Sequence, residues 1–394
     1  MTKKPSYRFA GYTEPWEEKK LGEVFDIVTD YVANGSFESL RNNVKTYEKD
    51  NFAYMIRLQD ASNSWKGPWL YTDEKGYNFL SKSRLFKDDI LMSNVGTVGR
   101  FFQVPELDRP MTLAPNSVLI RSTSSNNQFL YFMMLTANIQ DQITMRKTPG
   151  VQDKINKTDF KKVIATLPSL PEQEAIGSFF QDIDHLISLQ QRKLEVFKEQ
   201  KKTYLKLLFP AKGQIKPALR FAGFEDEWKE VKLGEYCDIA TGKLDANAMV
   251  TDGEYDFYTS GIQKYKIDVA AFEGPAITIA GNGATVGYMH YADGKFNAYQ
   301  RTYVLSNFLV DRSFIYSEIG RKLPSKIQQE ARTGNIPYIV MDMLTKLDIC
   351  LPSLPEQEAI GSFFQDLDKA IAKHEEKVNQ LKESKQTLLR KMFI

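Results

Sequence analysis

Two stretches of the chain place apolar residues at alternating steps of four and three. In the first, the repeating positions are Ile183, Ile187, Gln190, Leu194, Phe197, Lys201, Tyr204 and Leu208; in the second they are Leu367, Ile371, His374, Val378, Leu381, Lys385, Leu388 and Met392. That period is a coiled-coil seam, so each stretch is read as one long helix. Polar residues interrupt both seams at matched places, Gln190 with His374 and Lys201 with Lys385, where they set register at a cost in stability. His374 is thus read as a seam or rim residue and not as a ligand. Both helices open on Leu-Pro-Ser-Leu-Pro-Glu-Gln-Glu. Pro171 and Pro355 suit a first helical turn, where a missing N–H costs nothing. Ser169 and Ser353 lie close enough to contribute capping, and Glu172, Glu174, Glu356 and Glu358 complement the positive end of the helix dipole. A helix of about 36 residues is about 54 Å long. Ahead of each helix the pattern turns to short strands. Phe52 to Leu58, Asp89 to Ser93 and Ser117 to Ile120 are strand-like in the first half, as are Tyr255 to Tyr258, Ala276 to Ala280 and Thr302 to Leu305 in the second. Asn127 to Gln142 and Arg312 to Gln329 look helical. The fold class expected is mixed α/β (α+β).

The two halves are copies of one plan. Leu167 to Asp184 and Leu351 to Asp368 differ only at Ile183 against Leu367, at an offset of 184 residues. At the same offset Lys201, Thr203, Leu205 and Phe209 meet Lys385, Thr387, Leu389 and Phe393. A second match opens each half. Arg8-Phe9-Ala10-Gly11 recurs as Arg220-Phe221-Ala222-Gly223, and Trp16, Lys20 to Glu23, Asp26 and Ile27 recur as Trp228, Lys232 to Glu235, Asp238 and Ile239, now at an offset of 212. The second interior is therefore 28 residues shorter. A faint echo survives within, Asn94-Val95-Gly96-Thr97-Val98-Gly99 against Asn282-Gly283-Ala284-Thr285-Val286-Gly287. The frame is shared and the filling differs. Loops drifting without purpose would also give unlike interiors, but the helices had equal licence to drift and did not. The expected layout is a module over 1–170, a helix over 171–209, a linker over 210–219, a module over 220–354 and a helix over 355–394. The ten residues between Phe209 and Arg220 span at most roughly 35 Å. Module two therefore starts near the far end of helix one, and the economical return is an antiparallel helix pair with a pseudo-two-fold axis.

Composition narrows the class. The 394 residues suffice for two domains, and 42% hydrophobic with 26% charged residues is ordinary for a globular protein. Met1 to Ala10 has no apolar core of a secretory signal, and no run approaches the roughly 20 apolar residues of a membrane helix. Two isolated cysteines, Cys237 and Cys350, fit a reducing cytoplasm. With His185, His290 and His374 they form no zinc spacing. A net charge of +2 neither demands nor excludes nucleic acid. Phosphate-loop, dinucleotide-binding, adenine-methyltransferase and nucleophile-elbow motifs are all absent from the sequence, so the chain is read as a non-enzyme that holds no cofactor.

What remains is binding chemistry in loops. Glycines cluster at Gly96, Gly99, Gly281, Gly283 and Gly287, which suits close approach to a phosphate or base edge and suits an ordinary hairpin equally well. Basic and amide residues precede each Leu-Pro-Ser-Leu-Pro segment, in Arg146 to Gln152 and in Arg332 to Tyr338. Arg and Lys suit phosphate and guanine, while Asn and Gln suit adenine. The candidates are Arg57, Asn94, Thr97, Arg100, Lys147 and Gln152 in module one. In module two they are Asn282, Thr285, Arg301, Arg332, Asn335 and Tyr338.

Two Pro-Glu-Gln helix starts, each after an α/β module of dissimilar interior, resemble the specificity subunit of type I restriction–modification systems, and the likeness runs the whole chain. Trp16 to Ile27 and Trp228 to Ile239 look like the family's module-opening signature. The resemblance implies two target recognition domains, each reading half of a split, asymmetric site in double-stranded DNA, with paired helices fixing the unread spacer. It also implies two methyltransferase subunits that bind S-adenosylmethionine and two motor-nuclease subunits that use ATP and Mg²⁺. Specificity is expected within Asp26–Lys162 and Asp238–Lys346. The competing readings are a coiled-coil scaffold that binds only proteins and a self-sufficient restriction enzyme.

Overall fold

A computed structural model describes residues 4–330 and 337–394. The chain forms two compact units, one taking residues up to Leu189 together with Val378–Ile394, the other Gln190–Lys377. Each unit thus holds one module, the near part of one long helix and the far part of the other.

The strands of module one are β1 (Glu17–Lys20), β2 (Ile27–Asp30), β3 (Ala53–Ile56), β4 (Tyr71–Thr72), β5 (Arg84–Leu85), β6 (Ile90–Met92), β7 (Phe101–Gln103), β8 (Met111–Leu113), β9 (Val118–Arg121) and β10 (Ile164–Leu167). They build sheets of order β2-β9-β6-β7 and β4-β3-β8-β5 and a two-stranded ribbon, β1-β10. Module two has β11 (Lys229–Lys232), β12 (Asp238–Thr241), β13 (Tyr255–Tyr258), β14 (Lys264–Ile267), β15 (Phe272–Glu273), β16 (Ala276–Ala280), β17 (Met289–Ala292), β18 (Lys295–Ala298), β19 (Thr302–Ser306) and β20 (Asp348–Leu351). Their orders, β12-β19-β16-β17, β14-β13-β18-β15 and β11-β20, repeat the first set strand for strand. Even the parallel strand pairing, β3 with β8 and β13 with β18, is reproduced. The missing residues of module two therefore come out of connections and not out of the sheets.

The expected strands all form. The helix expected over Asn127 to Gln142 is instead two, Asn127–Met134 and Ala137–Arg146. Thr136 is extended, its hydroxyl bonds back to the Met133 carbonyl, and the Gln140 side chain donates to the Met134 carbonyl. These local bonds satisfy the broken turn and end the first helix early. Arg312–Glu330 is continuous as expected, with Pro324 inside it.

The long helices run Leu170–Leu207 and Leu354–Met392. Every seam position named above is buried or half-buried. In the first unit Asp184 meets Lys385 and Phe180 meets Phe393; in the second Lys201 meets Asp368 and Tyr204 meets Phe363. As one helix number rises the other falls, so the pairing is antiparallel in both units. The duplication maps Asp184–Lys385 onto Asp368–Lys201. It also pairs Gln190 with its own counterpart His374, whose Nδ1 lies 2.9 Å from Gln190 Oε1 while its ring stacks on Phe197. His374 is a seam residue, as expected.

The shared helix start has an internal purpose. Arg8 donates two hydrogen bonds of 2.6 Å to Glu172, and Arg220 donates two of 2.9 and 2.6 Å to Glu356. Both carboxylates are fully buried, and each holds its arginine above the ordinary guanidinium pKa. The glutamates therefore do more than complement a dipole: they pin the module's opening segment to the helix. Gln173 accepts from the Asn126 N–H and donates to the Pro168 carbonyl, and Gln357 does the same with Asp311 and Pro352. One turn on, a Cβ on Gly177 would lie 2.7 Å from Asn126 Oδ1 and 2.8 Å from the Phe129 nitrogen, and one on Gly361 would collide with Asp311 and Phe314. Only glycine lets the long helix cross the start of the module's own helix this closely. Beyond the crossing, Trp16, Phe129, Phe180 and Phe393 pack together, matched by Trp228, Phe314, Phe364 and Phe209. The last aromatic of each set comes from the tail of the other half's helix.

Candidate nucleic-acid interface

Strand register brings the connecting loops to one end of the sheet β2-β9-β6-β7 and of its counterpart β12-β19-β16-β17. In module one, Val118 starts β9 opposite both Asp30, the last residue of β2, and Met92, the last of β6. The exit from β2, the β6–β7 hairpin loop over 93–100 and the turn over 114–117 consequently open together. The Ala114 N–H donates to the Ile56 carbonyl at 2.9 Å, bringing Arg57, just beyond β3, to the same end. A further segment returns after the helix Ala137–Arg146. Lys154 bridges both Thr148 and Val95, the Gly96 N–H donates to the Asp153 carbonyl at 2.9 Å, and the Ile155 N–H donates to the Asn94 carbonyl at 3.0 Å. Gly96, at φ +76°, supplies the left-handed bend that this contact needs.

Module two repeats the assembly. Thr241 at the end of β12 lies opposite Tyr303, beside the turn that enters β19. The β16–β17 loop over 281–288 meets the returning segment through the Asn282–Tyr338 bridge and a 2.7 Å bond from the Ile339 N–H to the Gly281 carbonyl. The Tyr303 hydroxyl donates to the Ile339 carbonyl at 2.8 Å and fixes that segment from below.

The candidates divide by what their side chains already hold. Arg57 is committed to the buried Asp60 carboxylate, at 3.0 and 2.6 Å, and to the Pro68 carbonyl, and Asp60 lifts it above its ordinary pKa. Lys147 is paired with Asp153 at 2.7 Å. The Asn282 amide oxygen accepts from the Ser260 hydroxyl at 2.6 Å, and the Thr285 hydroxyl donates to the Ser260 carbonyl. Thr97, Arg100 and Gln152 are exposed, with Arg100 lying over Phe102 at 5.2 Å. Arg301 and Tyr338 are exposed as well. Arg332 and Asn335 lie outside the described residues. Asn94 and Asn282 head the same sequence echo, but only Asn282 has its amide spent within the module.

Sequence reasoning passed over two exposed amides at this end, Asn116 and Gln300. Pro115 before Asn116 was the available signal, because proline followed by a residue tolerant of positive φ marks a tight turn. Gln300 carried no signal beyond its neighbour Arg301. It also passed over the Arg8–Glu172 and Arg220–Glu356 pairs, though each partner lay in a recognised repeat.

Two modules of one topology, each with an anchored helix and a distinct loop cluster at the same sheet end, define a duplicated α/β-and-helix protein with two separate loop surfaces. The chain belongs to the family of the type I restriction modification DNA specificity domain, whose model matches residues 13–199 and 225–383. It is 39% identical over 164 residues to the specificity subunit of the type I restriction enzyme EcoDI of Escherichia coli, a match covering 42% of this chain and 36% of that one. The chain thus spans a little over a third of that curated relative. The S subunit of a type I restriction-modification system from M. genitalium superposes with a TM-score of 0.69 at 16% identity, covering 100% of this chain and 99% of that one. A chain from a structure of type I R-M complex assembly and conformational transition gives a TM-score of 0.50 at 16% identity over 98% and 99%. At that identity the likenesses show the fold.

Proposed function

We propose that the chain is the DNA-reading subunit of a cytoplasmic type I restriction–modification complex and performs no catalysis itself. One observation carries this reading: a frame matched residue for residue holds, at the same sheet end of each module, loops that differ in sequence and in how they are tied down. Equal platforms with unlike faces suit the two halves of one asymmetric, bipartite site in double-stranded DNA. The exposed side chains there, Arg100, Gln152, Arg301 and Tyr338, are of kinds that bond phosphates and base edges. The paired helices set the unread spacer, and the duplicated frame offers two docking places for two methyltransferase subunits. S-adenosylmethionine belongs to those subunits, and ATP and Mg²⁺ to two motor-nuclease subunits.

The test is the methylome of cells expressing the chain with its methyltransferase partner. The expected result is a gapped motif whose second half changes when residues 238–346 are exchanged for those of another member of the family. A contiguous motif, or one unchanged by the exchange, overturns the reading. DNA affinity of the assembled complex is expected to fall steeply with salt, as phosphate contacts require; salt-insensitive or absent binding would favour a scaffold that engages only proteins.

A further inference from the structure

Among the described residues, one loop at each sheet end takes no part in holding the others through its side chains. In module one it is the turn from β8 into β9, Ala114-Pro115-Asn116-Ser117; in module two it is the turn from β18 into β19, Tyr299-Gln300-Arg301-Thr302. Each turn passes from one four-stranded sheet of its module to the other and lies beside the hairpin loop.

The backbone of both turns is fixed. In module one Ala114 and Ser117 are buried, the Ser117 hydroxyl donates to the Ala114 carbonyl at 3.3 Å, and Asn116 sits at φ +70°. Proline then a left-handed residue is the pattern of a type II turn, which asparagine tolerates better than most residues. In module two the Thr302 N–H closes the turn onto the Tyr299 carbonyl at 2.8 Å. The Gln300 N–H donates to the Leu244 carbonyl at 2.8 Å, and the Arg301 carbonyl accepts from the Gly281 N–H at 2.8 Å. Yet the side chains of Asn116, Gln300 and Arg301 are exposed and make no hydrogen bond or ion pair among the described residues. Around them Arg57, Lys147, Asn282 and Thr285 are spent on internal bonds. A fixed main chain carrying an unspent amide or guanidinium suits direct base readout, because the backbone gives up little freedom and the side chain breaks no existing bond on binding.

We propose that Asn116 is a specificity-determining residue for the half-site read by module one, and that Gln300 and Arg301 are the corresponding residues of module two. This rests on the DNA-reading function proposed above. The chemistry names the bases: Asn116 and Gln300 each match the N6/N7 edge of adenine, and Arg301 matches the O6/N7 edge of guanine.

The experiment compares methylomes and competition binding of the complex, assembled with its methyltransferase partner, for wild type, Asn116→Gly, Asn116→Asp, Gln300→Ala and Arg301→Ala. Asn116→Gly removes the amide while keeping a residue at ease with positive φ, so the turn persists. It is expected to relax one base position of the first half-site, lowering discrimination there about 10- to 100-fold and leaving the second half-site intact. Asn116→Asp keeps the shape but offers only acceptors, and is expected to move preference at that position toward cytosine. Gln300→Ala and Arg301→Ala are expected to relax the second half-site alone. A gapped wild-type motif that all four variants leave unchanged, or weakening that is uniform across sequences, overturns this inference and leaves the DNA-reading function standing. No gapped motif from wild type overturns both.

Discussion

Asn94 and Asn282 occupy the same place in two copies of one hairpin, but their side chains do different work in holding it. In module one the loop is secured through main-chain groups: the Asn94 carbonyl and the Gly96 N–H bond the returning segment, and the Asn94 amide has no partner among the described residues. In module two main-chain groups do the same, the Gly281 carbonyl accepting from the Ile339 N–H, and side chains add a second anchor, with Asn282 and Thr285 both bound to Ser260. A main-chain anchor leaves side-chain identity free to change, whereas a side-chain anchor fixes it. Residues that align are therefore not residues with one job. The frames behave oppositely, since Arg8–Glu172 and Arg220–Glu356 agree in residue, burial and geometry.

The largest expected effect tests that equality of frames. Arg8→Ala and Arg220→Ala each leave a fully buried carboxylate unpaired, and each is expected to cost about 3–5 kcal/mol in urea unfolding. A loss in only one module would break the equivalence. Next come Gly177→Ala and Gly361→Ala. The helix gains about 1 kcal/mol of propensity, but the added methyl meets the start of the module helix. A net destabilisation of about 1–3 kcal/mol is expected, and a stabilised variant would show that the crossing can widen. Smaller still, Lys385→Met and Lys201→Met remove matched ion pairs and are expected to cost about 1 kcal/mol or less, less so in high salt. Lys385 should cost more, because it also lies over Phe132 at 5.1 Å; a double-mutant cycle with Asp184 measures the difference. The smallest effect separates the modules. His290 in β17 stands at the register of Phe102 in β7. Burial, aided by Lys264 and opposed by the Gly261 carbonyl, holds the His290 imidazole below its ordinary pKa of 6.5. The folded chain then binds fewer protons than the unfolded one, so stability present above the ordinary pKa is lost as pH falls from there through the lower folded-state value. Thermal unfolding of His290→Phe should lose that part of the acid sensitivity, and an unchanged pH profile would refute it.

The long helices were legible because their information is local: period, proline, and a polar residue at each matched seam step. The duplication was legible because Leu167 to Asp184 returns almost unaltered. The Arg8–Glu172 pair was not, although both residues were flagged, because the repeats that reveal them have different offsets and nothing local says that residues 164 apart meet. The loop assembly failed for the same reason, since Val95 finds Lys154 only through sheet register. Side-chain commitment is further from sequence still. Arg57 reads as a free cation until Asp60, three residues on, is seen to accept from its Nε and Nη2.

Phe209 and Phe393 carry one more consequence. Each completes the aromatic core of a module that its own half did not begin, and Phe393 follows module two in the chain while filling the core of module one. During synthesis on the ribosome the module made first is therefore the one finished last. Until the second half emerges, Trp16 and Phe129 lack the ring that packs against them in the finished chain.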